Sequence, residues 1–142
     1  MKWLFKTEPS DYSFERLVRE KKTLWIGVKN ALALKHLRQV RKGDEIAIYH
    51  TGGEKAVVGI AKVVSNPYPE DKSEKYVAVD LVPVGRLPRP VTLAEIKADP
   101  TFKEFPLVRI SRLSVMPVSE REWREIESMA RELAAGRSTA RR

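Results

Sequence analysis

The stretch Lys2-Trp3-Leu4-Phe5-Lys6-Thr7-Glu8-Pro9-Ser10-Asp11-Tyr12-Ser13 joins an apolar run to a polar turn and then to a helix start. It predicts a strand over residues 2–6 and, with Ser13 as the N-cap, a helix over Phe14 to Glu20. The turn brings a lysine, two hydroxyls, two carboxylates and an aromatic ring to a strand end. Such turns carry binding sites more often than core residues. The mixture suits the binding of a small planar polar group beside phosphates better than covalent chemistry.

The composition indicates one globular domain with its own core. The chain has 142 residues, of which 42% are hydrophobic, and it has no cysteine. The length is that of an ordinary domain. The lack of cysteine excludes disulfides, thiolate nucleophiles and zinc–thiolate sites, and it fits a reducing compartment. No apolar run has the length of a membrane span or the pattern of a signal peptide. We therefore expect a cytoplasmic protein.

The charge of the chain is basic and unevenly distributed. The formal net charge is +8, and residues 136–142 contribute three of these charges without an acid. We predict a single domain over residues 1–135 and a basic, disordered tail over 136–142. A moderately basic domain is compatible with a polyanion such as nucleic acid, although many soluble proteins carry a similar charge.

The remaining pattern predicts an α+β fold. Tight turns join consecutive strands, which excludes a doubly wound α/β fold. We expect an antiparallel or mixed sheet of about five or six strands, curled into a small barrel and flanked by helices. The predicted elements are a helix over Ala31 to Arg41 capped by Asn30, a hairpin of Asp44–Thr51 with Ala56–Val64, a strand over Tyr76 to Val84, a break at Leu87–Pro90, a helix opened by the Thr92/Glu95 capping box, a strand over Leu107 to Val115, and a helix from the Ser119/Glu122 capping box to about Ala134.

Motifs for catalysis and metal binding are lacking in the sequence. The chain has two histidines, His36 and His50, and no G-x-S-x-G motif. Two distant histidines and scattered carboxylates do not form a metal-ligand pattern. Gly52-Gly53 indicates a hairpin turn rather than a phosphate-binding loop. We therefore predict no catalytic residue, no metal and no cofactor, although His50 remains a candidate base if the protein is an enzyme.

Residues suited to binding a base are better represented. Trp25 precedes Gly27 and Asn30, so a flat indole lies near a residue without a side chain and near an amide. Single bases are recognised by stacking together with hydrogen bonds to their edges. The alternative is that Trp25 belongs to the core, like Trp3 and Trp123. The candidates for contacts to phosphates are Lys6, Lys29, Lys35, Arg38, Arg109 and Arg112, each of which could equally belong to a solvated face.

Several motifs in order resemble the EVE domain family. They are Trp3 to Ser13, Trp25-x-Gly27-Val28-Lys29-Asn30, Tyr49-His50-Thr51-Gly52, Val58-Gly59-Ile60-Ala61, Pro67-Tyr68-Pro69, Leu87-Pro88-Arg89-Pro90-Val91-Thr92-Leu93, Val108-Arg109 and Arg112-Leu113-Ser114-Val115-x-Pro117-Val118. The similarity runs from residue 2 to about residue 130. The family belongs to the PUA-like superfamily with the PUA, YTH and ASCH domains, which implies a small curved β-barrel flanked by helices.

The resemblance implies a non-enzymatic domain that binds a modified base, such as methylated cytosine, in DNA or RNA. The base would be flipped or single-stranded. The implied pocket is lined by Lys6, Thr7, Tyr12, Trp25, Asn30, His50, Thr51 and Tyr68. Trp25 would be the stacking wall and Asn30 would read the base edge. The family usually has an acid where Ile26 stands, so the base preference of this chain stays open.

Two other classes of function remain as alternatives. The same groove could bind a small molecule or a peptide, which predicts weak dependence on salt. An enzyme acting on a nucleotide would need turnover without a metal.

Overall fold

The computed structural model describes residues 1–70 and 75–139, with side chains as far as Glu132. Within these residues the strands are β1 (Lys2–Thr7), β2 (Thr23–Trp25), β3 (Glu45–His50), β4 (Ala56–Val63), β5 (Tyr68–Pro69), β6 (Val77–Thr92) and β7 (Val115–Val118). The helices are α1 (Phe14–Glu20), α2 (Ala31–Leu37), α3 (Leu93–Lys97), α4 (Pro106–Arg109) and α5 (Glu120–Thr139), and a 3-10 turn covers Pro100–Phe102.

The strands form a mixed sheet with the order β2-β6-β4-β3-β1-β7, and β5 pairs with β6. β1 runs parallel to β3, whereas the other paired strands are antiparallel. The sheet is curled into a half-barrel, and α5 packs against β6. The predicted α+β fold with a mixed, curled sheet is confirmed. The described residues hold seven strands, rather than five or six.

Helix starts are the best predicted local feature. A side-chain oxygen accepts a hydrogen bond from a backbone N–H two or three residues into each of four helices, which satisfies a donor that has no partner within the helix. The four predicted caps are confirmed as Ser13 to Arg16 (3.1 Å), Asn30 to Ala33 (3.0 Å), Thr92 to Glu95 (3.1 Å) and Ser119 to Glu122 (3.1 Å).

The predicted break at Leu87–Pro90 is wrong, because β6 continues through it to Thr92. Proline lacks an N–H and is tolerated in a strand only where no ladder bond is needed. The pairing with β4 passes from Gly59↔Arg86 to Val57↔Val91, so residues 87–90 have no partner in register. Both prolines therefore lie in a bulge, which bends the strand without ending it.

Three other boundaries differ from the predictions. α2 ends at Leu37 instead of Arg41, and the chain then tightens into bonds from Gln39 N to His36 O and from Val40 N to Leu37 O. Residues 107–115 were predicted as a strand, but Pro106 begins α4, because its fixed φ suits a first helical turn. α5 continues to Thr139, so the predicted tail is helical over 136–139, and 140–142 lie outside the described residues.

The packing of α1 fixes the turn that precedes it. The Phe14 ring lies directly over Gly59 of β4, where a Cβ would be 2.5 Å from the ring. The Phe14 N–H donates to His50 Nε2 at 3.0 Å. Leu17 is buried as predicted, whereas Val18 is 43% exposed and does not belong to the buried stripe. The start of α1 is therefore held against β3 and β4 by an aromatic ring and a hydrogen bond.

Candidate functional site

A cavity of about 490 Å³ opens where β1 ends, between the following turn, α1 and β2. Its volume is in the range of small-molecule sites. The lining is Lys6, Thr7, Glu8, Asp11, Tyr12, Arg16, Glu20, Thr23, Leu24, Trp25, Ile26, Gly27, Val28 and Ser114. We call it the base cavity below. Of the eight residues in the implied pocket, it brings together Lys6, Thr7, Tyr12 and Trp25.

Two aromatic rings meet at a right angle in the base cavity. The ring centroids of Tyr12 and Trp25 are 6.1 Å apart with an interplanar angle of 90°. Trp25 also packs on Phe5, with centroids 5.5 Å apart and a tilt of 39°. Trp25 is 9% exposed, so it is at once part of the core and part of the cavity wall. Both interpretations of Trp25 from the sequence therefore hold.

Tyr12 is held by charged neighbours on α1. Its hydroxyl donates to Glu20 Oε1 at 2.7 Å, and Arg16 lies over its ring at 5.0 Å while pairing with Glu20 at 3.0 Å. Burial and the Glu20 carboxylate raise the pKa of Tyr12. The hydroxyl of Tyr12 thus stays protonated as a hydrogen-bond donor at neutral pH, and its ring orientation is fixed.

Lys6 and Thr7 supply polar groups at the end of β1. Lys6 Nζ donates to the Ser111 carbonyl at 2.7 Å, and Thr7 Oγ1 donates to the Tyr12 carbonyl at 2.7 Å. Burial lowers the pKa of Lys6. An ammonium has three donors, so Lys6 retains donors for a ligand after its bond to Ser111.

An apolar rim lies on the side of the cavity formed by β2 and the loop after it. Leu24 and Ile26 are 57% and 58% exposed there, which is unusual for large apolar side chains. Gly27 adopts a left-handed φ of +80°, and its N–H donates to Glu70 at 2.7 Å. The Gly27 N–H and Lys29 lower the pKa of Glu70. Glu70 thus anchors the loop that presents the rim.

The structure places the other four residues of the implied pocket outside the base cavity. Asn30 accepts from the Ala33 N–H as the cap of α2. His50 is buried, with Nε2 bound to the Phe14 N–H and Nδ1 2.7 Å from Glu54. Tyr68 donates to Asp80 at 2.5 Å, and burial together with that carboxylate raises the pKa of Tyr68 to about 12. Thr51 lines a neighbouring cavity. Structural hydrogen bonds therefore occupy three of these four side chains.

A model of the EVE domain matches residues 1–129. The chain belongs to the EVE domain family. Rpa0253 of Rhodopseudomonas palustris is 38% identical, and its structure superposes with a TM-score of 0.87 over 93% of this chain and 94% of that one. Human thymocyte nuclear protein 1 is 27% identical over 85% of this chain and 70% of its own length. A structure of the human THYN1 protein in complex with DNA containing 5-methylcytosine has a TM-score of 0.84 at 25% identity, covering 91% of this chain and 96% of that one. The PUA-like fold implied by the sequence is confirmed.

The basic residues predicted to contact phosphates are dispersed in this EVE domain. Lys29 pairs with Glu70 at 3.0 Å and Arg109 with Glu104 at 3.3 Å. Arg38 donates to the Lys75 carbonyl. Lys35 and Arg112 are exposed. Arg112 follows Ser111, the residue that binds Lys6, so it is the member of this set nearest in sequence to that contact.

Sequence reasoning missed the apolar rim and the charged wall of the EVE site. The signal for the rim was available, since Leu24 and Ile26 flank Trp25 in an extended run and alternation exposes them when Trp25 is buried. Arg16 and Glu20 have the spacing of an ion pair on a helix surface, four residues apart. Ser114 comes from the far end of the chain and had no local signal.

Two further searches of the described residues gave negative results. No group of three or more His, Asp or Glu side chains is arranged to hold a metal ion there. None of the helices in the same residues has the length and apolar character needed to cross a membrane.

Proposed function

We propose that this EVE domain binds nucleic acid and reads a modified base, with 5-methylcytosine in DNA as the first candidate. The observation that carries the proposal is the right-angled pair of Tyr12 and Trp25 in an open cavity beside Lys6. One ring can stack on a base while polar groups at the end of β1 meet its edge. The DNA complex of the human THYN1 protein supports the choice of ligand.

The base must leave its stack to enter the base cavity. Extrusion costs a few kcal/mol and least for a single strand, so we expect tighter binding to single strands than to intact duplex. The apolar rim of Leu24 and Ile26 suits contact with the neighbouring bases or the methyl group. The net charge of +8 adds sequence-independent attraction that salt weakens.

We further propose that the domain is not an enzyme. His50, the candidate base, is buried away from the cavity with both ring nitrogens engaged. After incubation with the protein, a modified oligonucleotide should be recovered with unchanged mass. A changed mass would favour the nucleotide-acting alternative.

The test is a titration of matched oligonucleotides, single-stranded and duplex, with and without 5-methylcytosine. Trp25→Leu should weaken binding to the modified strand roughly 5- to 150-fold, the equivalent of about 1–3 kcal/mol for one stacked base. The matched control is Phe102→Leu, which also removes one ring from a stacked pair with centroids 5.5 Å apart but lies outside the cavity. Equal affinity for modified and unmodified strands, or equal losses in the two variants, would refute the base-reading function. Binding of a nucleoside or peptide alone would favour a small-molecule or peptide module.

A further inference from the structure

A second cavity of about 340 Å³ adjoins the base cavity, and Lys6 lines both. The hairpin between β3 and β4 forms one side of it, and α3 and the segment around α4 form the other. Its polar lining includes three lysines, Lys6, Lys55 and Lys97, with the hydroxyl of Thr51. Among the described residues that line it, none is acidic. We call this cavity the cationic groove.

The groove continues away from the base cavity. A shallower cavity of about 300 Å³ shares Lys55, Leu93 and Lys97 with it. The carboxylate in this extension belongs to Glu54, which is engaged by His50 Nδ1 at 2.7 Å. A continuous path therefore leads from the aromatic corner past Lys6 to Lys55 and Lys97.

The lysines of the groove differ from the other basic residues in their pairing. Lys29 and Arg109 face carboxylates, and Arg38 binds a carbonyl. By contrast, Lys6, Lys55 and Lys97 form no ion pair with any residue in the described part of the chain. Three unpaired ammonium groups around one concave surface repel one another and attract an anion.

The fold holds Lys55 in an uncommon backbone conformation. Its φ is +47°, a value that favours glycine, and its carbonyl accepts from the Leu93 N–H at 2.8 Å. That hydrogen bond ties the hairpin to the start of α3. The two lysines on opposite sides of the groove, Lys55 and Lys97, are thereby kept in a fixed relation. A side chain at this position therefore stands on a backbone that glycine would adopt more easily.

We propose that the cationic groove binds the phosphates of the strand that flank the base held in the base cavity. This inference rests on the proposed function and deepens it, since it makes the ligand an oligonucleotide rather than a free base. Lysine binds phosphate as a point charge, and backbone contacts position a strand without reading its sequence. The groove would thus set affinity, and the aromatic corner would set base preference.

The experiment compares the double variant Lys55→Gln/Lys97→Gln with a control that loses the same charge. The control is Lys62→Gln/Lys103→Gln, two exposed lysines that line neither cavity. The probes are 5-methyl-2′-deoxycytidine, which has no phosphate, and a single strand with one central 5-methylcytosine and its unmodified twin. Each is titrated at several salt concentrations.

The groove variant should bind both strands more weakly, by about fivefold for each lost contact at 0.1 M salt, or roughly 25-fold. The slope of log K against log salt should become shallower by about 1.4, since each contact to a single strand contributes about 0.7. Affinity for the nucleoside and the ratio of modified to unmodified strand should not change.

The groove proposal is overturned if the two double variants have the same affinities and slopes, or if the groove variant loses the nucleoside as well. Failure of the proposed function gives a different result, because the wild-type protein would then bind both strands equally whatever the lysines do.

Discussion

At the scale of single residues, Asp44 is the buried carboxylate that joins the first strand to the rest of the sheet. Its Oδ2 accepts from Trp3 Nε1 and from the Arg41 N–H, both at 2.9 Å, and its Oδ1 accepts from the Met1 ammonium at 2.9 Å. Burial alone would raise the pKa of Asp44, but these donors outweigh it and lower the pKa below 3.8. The carboxylate is therefore favoured in its charged form by the fold.

Replacing Asp44 with Asn should lower the free energy of unfolding by about 2–4 kcal/mol at neutral pH, because buried donors lose a charged acceptor. Since the folded pKa is below 3.8, the contribution of Asp44 is present above that pH and is lost as the pH falls through the folded pKa. Urea unfolding at pH 7 and at steps down to pH 2 measures both effects.

The Asp44→Asn variant should depend less on acid than the wild type does. Glu104→Gln, which removes one partner of an exposed pair, serves as the control and should change stability little. Identical acid dependence in Asp44→Asn and the wild type would contradict the role assigned to this carboxylate.

Single residues also show what a sequence can predict about a site. The spacing around Asn30 favoured a helix cap, and the structure confirms that cap. The same side chain was assigned to the base edge through the family resemblance, but its oxygen is engaged in the cap. His50 is a similar case, since its two partners, Phe14 and Glu54, come from separate turns. Local pattern identifies a polar residue with a role, and only tertiary contacts decide which role it has.

At the scale of elements, the contact of α1 with β4 determines where the aromatic corner lies. Tyr12 and the Ser13 cap come immediately before Phe14, whose ring covers Gly59. A sheet position without a side chain lets the helix approach closely. The predictable part is the helix and its cap, whereas the partner of Phe14 is 45 residues away in sequence and had no local signal.

Gly59→Ala should lower the free energy of unfolding by roughly 1–3 kcal/mol, because the added Cβ would overlap the Phe14 ring in a packed core. The ring has little freedom to retreat, since the Phe14 N–H is bound to His50. Displacement of α1 should also carry Tyr12 out of place and weaken binding of 5-methyl-2′-deoxycytidine.

The matched control for Gly59→Ala is Gly85→Ala on the neighbouring strand, where a Cβ would meet nothing within 4 Å. Urea unfolding and nucleoside titration of the two variants test the prediction together. Should Gly59→Ala unfold and bind as Gly85→Ala does, Phe14 would not be the contact that positions the corner.

At the scale of the whole molecule, the two cavities differ in how far apart their residues lie along the chain. The base cavity takes its lining from residues 6–28 with Ser114 added, whereas the cationic groove combines the ends of β1 and β3, the hairpin, α3 and the segment 107–111. Four of its lining residues could be named from the sequence because the base cavity is local. The groove depends on the bend of β6 through two prolines, which the sequence suggested was an end.

Because the base cavity is formed by β1, α1 and β2 together, it exists only in the folded protein. A strand bound there should raise the melting temperature, by roughly 5–10 °C when it is present at 100 times its Kd, the equivalent of about 2.7 kcal/mol. Any polyanion should give part of this shift by reducing self-repulsion in a protein of net charge +8. The shift for the 5-methylcytosine strand minus the shift for the unmodified strand therefore isolates the cavity. That difference should vanish in Trp25→Leu and persist in Phe102→Leu, and its persistence in both would mean that the base is read elsewhere.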